Sequence, residues 1–126
     1  MELIFVDSRD RKPIYEQLID NIKGLVLRGL LGPDAQLPSV RALAGELAIN
    51  PNTIQKAYTE LERDGVIYSL PGRGRFVSPD TAALRESSRR ELLRQCGELL
   101  ARLYETGVTV DDVLELINKL WRRSDQ

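Results

Sequence analysis

The sequence predicts a mainly α protein with a small α+β wing: an N-terminal helical domain that ends in a β-hairpin, followed by two further helices. Three observations carry that expectation. Apolar residues recur every three or four positions through most of the chain, the spacing of amphipathic helices. The period changes once, to extended runs on either side of Pro71-Gly72-Arg73-Gly74-Arg75, which reads as a hairpin with a glycine-rich tip. Gly29, Asn50-Pro51 and Gly65 punctuate the periodic segments, and residues of these types start and stop helices.

The elements follow in order. From Pro13, placed at a first helical position, Ile14, Leu18, Ile22, Leu25 and Val26 form one apolar face, and Gly29 ends the helix. After the turn-rich Gly32-Pro33-Asp34, Ser39 is placed to cap a short second helix whose inner set is Val40, Leu43, Ala44 and Leu47. Asn50 as N-cap and Pro51 at N1 open a third, with Ile54, Ala57, Tyr58 and Leu61 inside. Two short helices joined by so tight a turn form a helix-turn-helix, and the hairpin Val66–Val77 behind it forms a wing. From about Asp80 the pattern is helical again, with a stripe of Leu92, Leu93, Cys96, Leu99, Leu100, Leu103 and Tyr104. Gly107 interrupts it. Thr109 and Asp112 then form a capping box for a last helix carrying Val110, Val113, Leu114, Ile117, Leu120 and Trp121. The domains expected are a winged helix-turn-helix over 1–79 and a helical dimerisation tail over 80–126.

Composition narrows the function. A chain of 126 residues hides roughly two-thirds of its unfolded surface, so no staple of disulfides is needed. Cys96 is the only cysteine and there is no histidine, which removes zinc sites and histidine-dependent catalysis. No Gly-x-x-x-x-Gly-Lys loop is present, and Gly72-Arg73-Gly74 lies in a hairpin, not between a strand and a helix. We therefore expect no catalytic residue, no metal and no cofactor. Asp111, Asp112 and Glu115 read as first-turn acids favoured by the helix dipole, not as a cation site. The start, Met1 to Asp7, carries an acid where an export signal needs bases, and its apolar run is too short for a span. A cytoplasmic protein without a membrane partner is expected.

The balance is 18 basic against 19 acidic side chains, so nucleic-acid binding must rest on local placement of charge. The opening of the third helix offers Asn50, Asn52, Thr53, Gln55 and Lys56 to the major groove, with Arg41 of the second helix in reach of the backbone or a guanine edge. Ser39 and Asn50 divide their side chains between capping and contact. At the wing, Gly72 and Gly74 allow close approach and Arg73 and Arg75 supply charge to the minor groove or its phosphates. Residues 1–79 hold ten basic and ten acidic side chains, but Val66–Val77 holds two arginines and no acid. Modest affinity per subunit then calls for a dimer on double-stranded DNA, with an inverted-repeat operator.

The runs Leu37-Pro38-Ser39-Val40-Arg41-Ala42-Leu43-Ala44, Asn50-Pro51-Asn52-Thr53-Ile54-Gln55-Lys56-Ala57-Tyr58, Leu61-Glu62-Arg63-Asp64-Gly65 and Gly72-Arg73-Gly74-Arg75-Phe76-Val77 resemble the winged-helix signature of the GntR family of bacterial transcriptional regulators, over about Pro13 to Pro79. The short helical tail resembles the YtrA-type subfamily, whose members are dimeric repressors. The resemblance implies DNA contacts at Arg41, at Asn50, Pro51, Asn52, Thr53 and Gln55, and at Gly72. Pro51 has no N–H to donate. Asp34 and Ala48 stand where the family often has glycine, and a non-glycine residue held left-handed costs about 1 to 2 kcal/mol. A helical turn geometry at Ala48 is the alternative.

Leu92, Cys96, Leu99 and Leu103 with Leu114, Ile117 and Trp121 are expected to form the dimer contact, with Cys96 as a small buried hydrophobe. A sequence-specific repressor acting by promoter occupation is the function expected. A small-molecule effector held between subunits stays open. The competing reading is a winged-helix module that docks protein without reading DNA; such a face would show aromatic or aliphatic anchors where the third helix is polar.

Overall fold

Helix α1, Ile14–Leu27, buries Leu18, Ile22, Leu25 and Val26 on one face, and Pro13 stands just outside it as the N-cap, one residue earlier than the sequence suggests. The computed structural model describes residues 3–124; Met1, Glu2, Asp125 and Gln126, at the ends of the two expected domains, lie outside them. Helices α2, Val40–Leu47, and α3, Pro51–Arg63, follow, then strands β1, Ile67–Leu70, and β2, Gly74–Val77. Helices α4, Thr81–Glu105, and α5, Val110–Ser124, complete the order. The described chain divides into two compact units, one running to Glu86 and one beginning at Ser87.

In the first unit α3 is the central element. Ile54, Ala57, Tyr58 and Leu61 are buried against Leu43 of α2, the α1 face and Val66, Ile67 and Val77 of the hairpin. Each large side chain fully removed from water contributes about 1.5 to 3 kcal/mol, so this cluster fixes the angle at which α3 is held. The chain before α1 adds to it. Ile4 is buried and Val6 half-buried while Phe5 is exposed, an alternation that marks an extended segment. The Phe5 N–H donates to Asn21 Oδ1 (3.1 Å) and the Asp7 N–H to Gln17 Oε1 (2.8 Å), which fastens the segment along α1.

β1 and β2 are antiparallel, with Ile67 opposite Val77 and Ser69 opposite Arg75. A third extended piece flanks β2. The Asp34 N–H donates to Val77 O (2.9 Å), the Val77 N–H to Ala35 O (2.8 Å) and the Leu37 N–H to Arg75 O (2.9 Å). The loop before α2 therefore covers the open edge of the wing.

Asp34 and Ala48 are both left-handed, at φ 62° and 55°. The helical turn geometry considered for Ala48 is thus corrected: its N–H closes on Ala44 O at the C-terminus of α2, and the chain must reverse there to reach Asn50. The two positions differ in compensation. Tyr68 Oη donates to Asp34 Oδ1 at 2.6 Å, whereas the Ala48 methyl has nothing comparable to gain. Ala48→Gly should raise the unfolding free energy by about 1 kcal/mol, the left-handed cost less the extra chain entropy of glycine; Asp34→Gly should give no gain. Urea titrations of the two variants beside the parent check this.

The second unit is amphipathic. Glu91, Arg94 and Glu98 form a ladder of ion pairs along one side of α4, and hydrogen bonds from Arg94 and then Gln95 hold the Glu91 carboxyl down at about 2. The other side carries Leu92, Leu99 and Leu103, all exposed. Gly107, at φ 84°, reverses the chain. The capping box forms as expected, with the Asp112 N–H donating to Thr109 Oγ1 (3.2 Å) and the Thr109 N–H to Asp112 Oδ2 (3.1 Å). Those bonds hold the Asp112 carboxyl below its usual range, the backbone donor first. Trp121 is 66% exposed. Cys96 is exposed in the single chain as well, so the burial expected for it is not met within one chain and is left to the subunit contact.

Candidate nucleic-acid interface

The turn between α2 and α3 is built by caps. Ser39 Oγ accepts from the Ala42 N–H (3.1 Å) and Asn50 Oδ1 from the Asn52 N–H (2.8 Å). Both oxygens are therefore spent on helix ends, which leaves the Asn50 amide nitrogen and the far side of the Ser39 hydroxyl for a ligand. Tyr58 ties the pair together: its Oη donates to Pro38 O at 2.8 Å, and burial pushes the phenol up, against a smaller opposing effect of Arg75. It remains a protonated donor at any working pH.

Around this frame Arg41, Pro51, Asn52 and Gln55 are exposed and Thr53 is half-buried. Leu43 and Ala44 face the core, so Arg41 stands on the outer side of α2. Among the described residues neither Arg41 nor Asn52 has a side-chain partner. Gln55 is committed, with Nε2 donating to Thr59 Oγ1 (3.3 Å) and Oε1 accepting from Arg75 Nη2 (3.3 Å).

Two residues assigned to DNA from the sequence have their side chains engaged within the fold. The Lys56 ammonium lies 3.7 Å from the centre of the Tyr15 ring of α1, a cation–π contact formed across the fold. Arg75 does not accompany Arg73 at the tip. In β2 it shares a face with buried Val77 and is half-buried itself, with its guanidinium carbon 5.3 Å from the Tyr58 ring centre.

The tip is a turn from Leu70 to Arg73, closed by the Arg73 N–H on Leu70 O (2.9 Å). Pro71 at its second position and Gly72 at its third, φ 76°, suit a type II geometry that a larger residue at 72 would strain. Arg73 is exposed there. Sequence reasoning did not find Gln36, whose Nε2 donates to Arg73 O at 3.0 Å. A Cβ added to Gly74, at φ 120°, would meet the same nitrogen at 3.0 Å, so a larger residue there would both strain the backbone and press on the amide. No local pattern marks Gln36; its partner lies 37 positions away.

The charges suit an anionic partner. Between Val66 and Val77 there is no acid, and Glu60, Glu62 and Asp64 lie at the far end of α3, where Glu60 pairs with Arg63 at 3.1 Å. The exposed opening of α3 shows no large apolar anchor of the kind a protein-docking face uses. No helix among the described residues is long and apolar enough to cross a membrane.

Comparison with known proteins adds four findings. The family model described as "Bacterial regulatory proteins, gntR family" matches residues 14–77. The HTH-type transcriptional repressor YtrA of Bacillus subtilis is 40% identical over 94% of this chain and 92% of its own. Among solved structures, a transcriptional regulator from Oenococcus oeni superposes with a TM-score of 0.76 at 37% identity, covering 92% of this chain and 97% of that one. The DNA-binding domain of AraR in complex with operator ORE1 gives a TM-score of 0.51 at 30% identity, over 58% of this chain and 89% of its own.

Proposed function

The chain belongs to the GntR family of bacterial regulatory proteins and is a DNA-binding transcriptional regulator, and from that premise we propose that it is a homodimeric, cytoplasmic repressor that occupies an inverted-repeat operator. The observation that supports this reading best is the shared exposure of Arg41 and the opening of α3 beside a wing free of acids. Residues 1–79 read DNA and residues 80–126 pair the subunits. In this reading Asn52, Thr53 and Gln55 meet base edges in the major groove, while Pro51 packs against the sugar–phosphate edge. Arg41 reaches a guanine or a phosphate. Ser39 and Asn50 cap their helices and turn their remaining polar atoms to the backbone. Gly72 lets the wing approach closely, and Arg73 enters the minor groove or pairs with its phosphates. Lys56 contributes charge from behind, since its ammonium is engaged by Tyr15.

The dimer contact is assigned to Leu92, Cys96, Leu99 and Leu103 of α4 with Leu114, Ile117 and Trp121 of α5. A groove of about 290 Å³ lined by Leu100, Leu103, Tyr104, Val113 and Leu114 lies on the same surface. Its walls are almost wholly apolar, so we assign it to subunit pairing. An effector would bind only once two subunits have met.

Footprinting on the DNA immediately upstream of the protein's own coding sequence, with and without cell extract, tests the proposal. Protection of two half-sites about one helical turn apart, or a multiple of that, is expected; absence of any protected inverted repeat there and at randomly selected operators overturns it. Arg73→Ala and Asn52→Ala should differ in kind. The first lowers affinity for every sequence and reduces the slope of log K against log salt by about one per subunit, and the second relaxes base preference at one position per half-site. A salt series on specific and unrelated duplexes distinguishes them.

A further inference from the structure

The bond between Arg75 and Gln55 joins the wing to the helix that reads the bases. A guanidinium has donors only, so the Gln55 atom facing Arg75 Nη2 at 3.3 Å must be the carbonyl oxygen. The amide nitrogen then points the other way along α3, with one hydrogen on Thr59 Oγ1 and the second free. Thr59 is itself fixed, its hydroxyl donating to Gln55 O at 2.9 Å. Arg75 is held in turn by the face of Tyr58, and its Nε is buried without a partner, so the guanidinium has accepted a loss of hydration to occupy this position.

We infer that Arg75 is a positioning residue for base recognition: by donating to Gln55 Oε1 it takes one of that oxygen's two acceptor positions, sets a cation beside the other and fixes the plane of the amide. This rests on the proposal that α3 lies in the major groove. A free glutamine pairs in bidentate fashion with adenine, accepting from N6 and donating to N7. A glutamine whose oxygen lies against a guanidinium meets a second donor such as adenine N6 beside a positive charge, while its free N–H still donates, so guanine, with acceptors at both N7 and O6, is the base edge that suits it. The sequence preference at one operator position is thus set from the wing, by a side chain that itself touches no base.

Selection of bound duplexes from a pool randomised over the operator tests this with the full chain. Parent, Arg75→Met, Gln55→Ala and the double variant are compared, each checked by a thermal melt; Arg75→Thr, a strand-favouring change, replaces Arg75→Met should that variant unfold. Gln55→Ala is expected to remove discrimination at one position per half-site. Arg75→Met is expected to move that same position from guanine toward adenine by about tenfold, to leave the other positions alone, and to change nothing in base ranking when Gln55 is already alanine. Arg75→Lys, which keeps a donor, should retain the parental ranking. A uniform loss of affinity in Arg75→Met with the ranking unchanged overturns the inference and makes Arg75 a phosphate contact. If Gln55→Ala alters no position, the placement of α3 in the groove fails as well.

Discussion

Leu99→Glu should convert the protein from dimer to monomer at micromolar concentration and lower operator affinity by about a hundredfold or more, with the winged unit still folded. Leu99 is 55% exposed in the single chain and Leu92 61%, so neither side chain has much to lose when a lone subunit is altered. Any large effect of the substitution must therefore arise from a surface that a second subunit supplies. Leu100 and Leu103 of α4 line one open groove with Val113 and Leu114 of α5, yet Leu92, Leu99, Leu114, Ile117 and Trp121 all stay exposed in one chain. An exposed apolar surface of this extent marks an interaction site. Introducing a carboxylate there forces two unpaired charges into the contact, at several kcal/mol each after relaxation.

Loss of the dimer is then felt on DNA, because the second half-site is no longer bound at an effective concentration in the millimolar range, a gain of about 10² to 10⁴ in avidity. The exposed ion pairs of Glu91, Arg94 and Glu98 on the opposite side provide the control. Glu98→Gln should leave the assembly unchanged, since solvent-exposed pairs contribute about 0 to 1 kcal/mol. Sedimentation equilibrium on parent and variants, run beside a DNA-shift assay, decides the matter. A monomeric parent that binds the intact operator tightly would remove the role given to the tail.

What could be read from the sequence and what could not divide along physical lines. Caps are local, and they were legible: Ser39, Asn50 with Pro51, Gly65 and the Thr109–Asp112 box each act within four residues. Helical periodicity likewise gave Leu18, Ile22, Ile54, Tyr58 and Leu61 as core. Contacts made across the fold left no such trace. Lys56 reads as a base donor until Tyr15 is brought beside it, and nothing in the run around Gln36 shows that its amide reaches the wing. Arg75 lies between these cases. Once Val77 is known to be buried, the two-residue period of a strand puts Arg75 on the same side, yet a glycine-rich, acid-free hairpin suggests that both arginines face DNA. Left-handed Ala48 was visible only as a departure from a pattern; its conformation follows from how close Ala44 and Asn50 must come.

Arg41→Ala should weaken specific binding by about 1 to 3 kcal/mol, roughly fivefold to more than a hundredfold, while its unfolding curve stays within about 0.5 kcal/mol of the parent. The side chain is exposed on the outer side of α2 and has no side-chain partner among the described residues, so its removal breaks nothing within the fold. Alanine also favours the helix at that position at least as well as arginine. The loss on DNA is large because α2 begins at the Ser39 cap and is tied through Pro38 O to Tyr58 of α3. Arg41 is therefore carried on the same rigid body as the residues proposed to read the bases, and little order would be lost on contact.

Arg41→Lys separates the two partners open to it. A planar fork that holds guanine O6 and N7 is not replaced by an ammonium, so against a base the lysine variant should remain as weak as alanine and lose preference at one position. Against a phosphate it should recover most of the affinity with the same salt slope as the parent. Affinities of both variants for the operator and for an unrelated duplex, measured at two salt concentrations, report which partner is correct. Parental affinity in a well-folded Arg41→Ala protein would take this residue out of the interface.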